Sequence, residues 1–275
     1  MANTEKRIVG FIDILGFKDM VNRFDSGKEP ELLNDIIEVL KSAGGLLRNE
    51  FPLPVSPLIN VWKKLLEVKV FSDCFCISIP FEHPDFSFAE NVKLYYQYIS
   101  GFQILLLEKG YLVRGGITIG SYYSDENIIF SGGLVDAYEL ESKVAKMPRI
   151  TISETLLTEI NKNKLYNSDY MFLCEGNISF LNPFNHRLFE SDLIDKFIEE
   201  EFKKKGMVGI MDKTFREIDE EDKKDTLNMV LKSIEEKLSS NVMEQVVRNK
   251  YDWLIEFIKF ESGLVSKLNF EKIKN

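Results

Sequence analysis

Two aspartates stand out, each closing an apolar run at a place where the chain should stop or turn. Asp13 lies in the run FIDILGF at residues 11–17, and Asp73 in KVFSDCF at residues 69–75. Two carboxylates at adjacent strand ends suit a two-metal nucleotide site. One cation lowers the pKa of an attacking hydroxyl and the other neutralises a leaving pyrophosphate. Carboxylate oxygens at short distance favour Mg²⁺ or Mn²⁺, so two such ions are expected. The residues after Asp13 add a second element. Leu15, Gly16 and Phe17 enter a helix, and their amides are first-turn donors with no intrahelical acceptor, which suits phosphate oxygens. One aspartate before a helix is often only an N-cap, and one in a hairpin only a turn residue. The pair, each within its own motif, favours an enzyme acting on a nucleoside triphosphate.

The elements that must hold these residues follow from apolar patterning. Residues 7–12 form a nearly continuous apolar run, the mark of a buried strand, and Gly16 lets the backbone turn into a short helix at 15–23. A helix is expected at 31–49, with Leu32, Ile36, Ile37, Val39, Leu40 and Leu47 on its apolar side. Pro52, Pro54 and Pro57 mark a loop. A strand then runs to Ser72, turns tightly at Asp73 and returns over 74–79 as a hairpin. A long amphipathic helix fills 88–109, ended by Gly110, before a strand at 111–119 and a short one at 127–130. Gly132 and Gly133 open a helix at 134–145, Pro148 breaks it, and 149–152 reads as a strand. Ser153 caps a helix at 154–164, and 170–173 with 178–181 form a last hairpin around Glu175 and Gly176. This order predicts an α+β fold with a mostly antiparallel sheet.

From about residue 185 the chain is charged and helix-like, with no strand expected. The acidic cluster at 217–225 reads as a solvated helix start. Tyr251, Trp253, Leu254, Phe257 and Ile258 form an apolar stripe at helical spacing. The expected organisation is a catalytic domain at 1–184 and a helical C-terminal extension at 185–275, folded onto that domain or onto a partner subunit.

The totals narrow the classes. Of 275 residues 44% are hydrophobic, including 21 Phe, which suffices for a bulky core. A net charge of −9 argues against nucleic acid as a partner. The 3 Cys read as reduced thiols. No signal peptide and no bilayer-length apolar run are seen, so a cytoplasmic location without membrane contact is expected. His83 and His186 have no zinc or triad partner pattern, and Lys203, Lys204 and Lys205 read as a solvated helix face.

Taken in order, four segments resemble the class III nucleotidyl cyclases, the adenylate/guanylate cyclase catalytic domain. They are FIDILGF at 11–17, KVFSD at 69–73 with Ser72 where the family has glycine, RGGITIG at 114–120, and GLVDAYELE at 133–141. The resemblance spans about residues 7–182. It implies a ferredoxin-like palm in which Asp13, the Ile14 carbonyl and Asp73 hold the metal ions. It also implies cyclisation of a nucleoside triphosphate to a 3′,5′-cyclic nucleotide and pyrophosphate, in a homodimer whose active sites lie between the subunits. Lys69 is then placed to donate to a base carbonyl. Three family positions differ: the transition-state asparagine falls at Val135, its arginine at Glu139, and the adenine-reading aspartate near Ile128. Arg114, Lys143, Lys146 and Arg149 are the candidate replacement cations. The variant pattern is similar to a bacterial subgroup that includes the pyrimidine cyclases of Pycsar antiphage systems, which implies CTP or UTP as substrate. The alternative is a catalytically idle palm that binds a nucleotide or a partner as a regulatory module.

Overall fold

The computed structural model describes residues 3–48, 62–163, 165, 171–185, 211–240, 244–264 and 270–272. Pro52, Pro54, Pro57, His186, Lys203, Lys204 and Lys205 lie outside the described residues.

The first half is a β-α-β-β-α-β block. Strand β1 (Glu5–Ile14) is followed by α1 (Phe17–Asp25) and α2 (Leu32–Arg48), then by the hairpin of β2 (Glu67–Phe71) and β3 (Cys74–Pro80). Helix α3 (Phe88–Glu108) leads into β4 (Val113–Ser124). The four strands lie in the order β4-β1-β3-β2, with every pairing antiparallel. That is the ferredoxin-like arrangement. β5 (Ile129–Phe130) folds back on β4, and α4 (Gly132–Glu139) runs directly into one π-helical turn (Leu140–Val144). β6 (Ile150–Ile152) pairs parallel to β4. After α5 (Glu154–Lys162), the hairpin of β7 (Phe172–Glu175) and β8 (Ile178–Leu181) extends the sheet. The fold is α+β with a mostly antiparallel sheet, as the element order predicted.

Side chains in β1 alternate between two covered faces, which explains its continuous apolar reading. Ile8, Ile12 and Ile14 join the main core with Phe75, Ile77, Val113 and Ile117, under Leu94, Tyr95, Ile99, Phe102 and Leu106 of α3. A capping box between Ser87 and Glu90 starts α3. Val9 packs on the opposite face with Cys76 and Tyr122. Burying each large apolar side chain contributes about 1.5–3 kcal/mol.

Three expectations need correction. A strand does occur beyond 185: β9 (Phe270–Lys272) pairs antiparallel with β7 at the sheet edge. Three residues are too few to display a period of two. Residues 217–225 lie inside α6 (Met211–Ser240), not at a helix start. The single helix expected at 134–145 is α4 plus the π turn, ending before Ala145. The apolar stripe does form one face of α7 (Gln245–Glu261), where Tyr251, Leu254, Phe257 and Ile258 are buried. They share a second core with Leu107 of α3, with Leu112, Leu173, Phe180 and Phe184 at the sheet and its ends, and with Leu227, Val230 and Ile234 of α6. Leu15, just past β1, packs against this second core. Among the described residues no helix is long and apolar enough to cross a membrane.

Candidate active site

Strand register brings the chemistry together. Asp13 stands opposite Cys74 on β3 and opposite Arg114 on β4. The period of two places all three on the sheet face away from α3. Ser72 and Asp73 are the two-residue loop of the β2–β3 hairpin, and Ser72 has φ 59°. A positive φ at the first loop position is the pattern of a type II′ turn, where glycine is favoured. The Ile14 amide donates to the Asp73 carbonyl at 3.2 Å, tying this turn to the end of β1. Ligand atoms of Asp13, Asp73 and Cys74 consequently lie within 4.8 Å of one another. The Cys74 thiol donates toward Asp13 Oδ1 at 3.6 Å and Asp73 Oδ1 at 3.9 Å.

Charge at this cluster is unevenly balanced. Arg114 Nε donates to Asp13 Oδ2 at 3.2 Å and also meets the Glu141 carboxylate. Glu141 is 2% exposed, and its Oε1 touches the guanidinium as an ion contact without a hydrogen bond of its own. Burial holds the Asp13 carboxyl above the ordinary aspartate range. The Arg114 charge and hydrogen bond oppose this shift, and the Asp73 charge adds to it. Burial likewise raises Glu141, against Arg114. The Cys74 thiol is pushed up to about 12, by burial first and then by the Asp13 and Asp73 charges, so it stays protonated and donates. Asp13 and Glu141 thus share one guanidinium, and the Asp73 charge bears on both of them. A hard divalent cation fits that surplus of negative oxygen, with Asp13 and Asp73 as its carboxylate ligands.

Close packing sets the second carboxylate partner of Arg114. A Cβ on Gly116 would fall 2.3 Å from the Ala137 carbonyl oxygen and 2.5 Å from Leu140 Cβ. The glycine therefore lets α4 and its π turn lie on β4, which delivers Glu141 to Arg114. Single π turns of this kind recur at functional sites.

The phosphate bed is narrower than expected. The Leu15 amide donates to the Leu112 carbonyl at 2.8 Å, so it is not available to a ligand. Its place between β1 and the end of α3's exit segment makes it part of the sheet boundary. Gly16, at φ 83°, is the N-cap of α1, and among the described residues no backbone acceptor takes the Gly16 or Phe17 amide.

The remaining candidates separate by position. Lys69 lies opposite Cys76, on the site's face of the sheet, but its Nζ donates to the Asp125 carbonyl at 2.7 Å and lies 3.8 Å from Glu67. Lys143 is 66% exposed and pairs with Glu139 at 2.8 Å. Lys146 Nζ donates to the Ser142 carbonyl at 3.0 Å, and its charge acts on Glu141. Arg149 is a correction: it is buried, paired with Glu175, and stacked near the Phe180 and Trp253 rings. Its side chain serves the second core, a placement that only tertiary packing decides. Val135 and Ile128 are exposed apolar residues. Sequence reading passed over Cys74 and Glu141 as site neighbours. The Asp13–Cys74 register, once the hairpin is recognised, would have found the first. An acid closing an otherwise apolar helix face was the signal for the second.

No protein-family model matches the chain, and no curated protein does. Among solved structures it is similar to a bacterial light-regulated adenylyl cyclase, with a TM-score of 0.40 and 12% identity. That match covers 73% of this chain and 58% of the other, so the chain spans a little over half of that neighbour. It is also similar to the guanylyl cyclase Cya2, with a TM-score of 0.33 and 15% identity, over 58% of this chain and 80% of that one.

Proposed function

We propose that the protein is a metal-dependent nucleotidyl cyclase. The observation that carries this reading is the convergence of Asp13 and Asp73, distant in sequence, beside the open amides of Gly16 and Phe17. Asp13, Asp73 and the Ile14 carbonyl hold Mg²⁺ or Mn²⁺, in a two-ion arrangement. The bound cations supply charge to the phosphates and make the attacking hydroxyl more acidic. Arg114, braced by Glu141, fixes the orientation of the Asp13 carboxylate. The Gly16 and Phe17 amides receive phosphate oxygens at the start of α1. The reaction joins the 3′ oxygen to the α-phosphorus and breaks the bridge to the β-phosphate. Pyrophosphate leaves, and the hydroxyl proton passes to solvent.

The substrate is CTP or UTP on this reading. Ile128, exposed at the hairpin tip, offers no carboxylate to an adenine amino group, and Lys69 lies on the correct sheet face to meet a base carbonyl after leaving Asp125. The product is a signal in antiphage defence, made in the cytoplasm by a homodimer with shared active sites. Exposed Ile128, Phe130, Val135 and Tyr138 provide apolar surface for that pairing. Residues 1–184 form the catalytic domain and 185–275 its helical extension. The test is incubation with ATP, GTP, CTP and UTP plus Mn²⁺, with products identified by mass spectrometry. Cyclic CMP or cyclic UMP, absent with Asp73→Asn, is the expected result.

A second reading has its own support. Val135 and Glu139 cannot stabilise developing phosphate charge, and Arg114 is held by two carboxylates. On that reading the palm is idle and binds a nucleotide or a partner as a regulatory module. No product from any of the four triphosphates, with dimeric full-length protein, would select it.

A further inference from the structure

If the cyclase reading holds, the phosphate chain lacks a free cation on α4, and a cation approaches from the C-terminal helix instead. Two chains of contacts link helix α7 to the ends of β1 and β4 that carry Asp13 and Arg114. In the first, Leu15, two residues past Asp13, packs on the core that contains Tyr251 and Leu254. In the second, Trp253 Nε1 donates to Glu175 Oε1 at 3.3 Å, and Glu175 pairs with Arg149. The Arg149 carbonyl in turn accepts from the amide of Gly115 at 3.1 Å, next to Arg114. Lys250 precedes Tyr251 and stands three and four residues before Trp253 and Leu254, so it shares their face of the helix.

Lys250 is half-buried, and among the described residues no carboxylate or carbonyl pairs with it. The charges of both Arg114 and Asp13 act on its ammonium, which places it in the neighbourhood of the cluster. Burial, helped by Arg114, lowers its pKa, while Asp13 opposes this. An ammonium partly withdrawn from water and left without an anion is costly, and a phosphate oxygen is a strong acceptor for it.

We propose that Lys250 is a phosphate-binding cation of the active site, supplied within the same chain by the C-terminal helix, in the role that α4 does not fill. The extension is then part of the site itself. The proposal rests on the cyclase reading, and the experiment separates the two. Binding of inorganic triphosphate with Mn²⁺ is measured by titration calorimetry on full-length protein, for wild type, Lys250→Gln, Lys250→Met, Lys250→Arg and Asp73→Asn. A lost charge-assisted hydrogen bond predicts about tenfold or greater weakening in Lys250→Gln and Lys250→Met, with most of the affinity kept in Lys250→Arg. The methionine keeps the aliphatic stem, so equal loss in all three Lys250 variants would mean packing, and the proposal falls. Unchanged binding in Lys250→Gln, alongside loss in Asp73→Asn, removes Lys250 and leaves the cyclase reading standing. No triphosphate binding by wild type removes both.

Discussion

Asp13 is a carboxylate held where an isolated carboxylate is disfavoured. Burial raises its pKa, with Arg114 opposing and Asp73 adding to the rise. A raised folded-state value means that the folded protein holds this proton more tightly than the unfolded chain. The stability it contributes is present below the ordinary aspartate value of 3.8 and is lost as pH rises through the higher folded value. In EDTA, the melting temperature of wild type relative to Asp13→Asn should therefore fall as pH rises across that window. At neutral pH the variant should be as stable as wild type or more so, because Arg114 keeps Glu141. Mn²⁺ should raise the melting temperature of wild type only. Melting scans from acid to neutral pH, with and without the ion, test this; a wild type that gains on Asp13→Asn as pH rises contradicts it. Ser72 presents a different cost. A left-handed residue with a side chain costs roughly 1–2 kcal/mol. Ser72→Gly should recover about 1 kcal/mol, or roughly 2–4 °C in melting temperature, and should leave product formation intact. A lower melting temperature would mean that the serine side chain contributes more than its backbone strain. The aspartates and the glycine-like turn could be read from sequence because each belongs to a local motif. The occupied Leu15 amide could not, because its acceptor at Leu112 comes from a distant segment.

At the scale of elements, α4 and its π turn depend on the bare backbone of Gly116. Gly116→Ala sets a methyl group against the Ala137 carbonyl and Leu140, at distances real contacts do not show. Overpacking of this kind costs about 1–3 kcal/mol. Because the displaced turn carries Glu141, the proposed cyclase activity should fall further than stability does. Parallel measurement of denaturant midpoint and turnover tests the coupling, and activity retained in a destabilised Gly116→Ala would break it. The element order was readable because hydrophobic periods and glycine or proline breaks are local signals. Strand ends were not: β1 runs past both predicted limits, and β4 starts two residues late and runs five residues further, because pairing with neighbours sets the ends. The π turn has no periodic signature, and β9 is too short to have one.

At the scale of the whole molecule, several large apolar residues of β5 and α4 stay exposed among the described residues. Phe130 is 70% exposed at the β4–β5 hairpin and Val135 57% exposed on α4. If this surface joins two copies, Phe130→Asp should give a monomer by light scattering, with melting within about 0.5 kcal/mol of wild type and the proposed cyclase activity lost. A dimer that survives the change would place the contact elsewhere. The total charge of −9 pointed away from nucleic acid, but it gave no hint that α7 packs on the core that Leu15, just past Asp13, also joins. Leu15 and Tyr251, 236 positions apart (251 − 15), are joined only through the second core, which no local pattern encodes.

The 4-1-3-2 strand order puts β1 between β3 and β4, so the aspartate cluster is closed by pairings between remote parts of the chain. A nascent polypeptide emerging from the ribosome can pair β1 with β3 early, but Arg114 joins the two aspartates only after β4 has been made. The amides of Ile14 and Leu15, bonded to Asp73 and Leu112, should then exchange with deuterium only as the entire palm opens, at the rate of the slowest core amides. Faster exchange there would reveal a hinge at the heart of the molecule that the hydrogen bonding does not suggest.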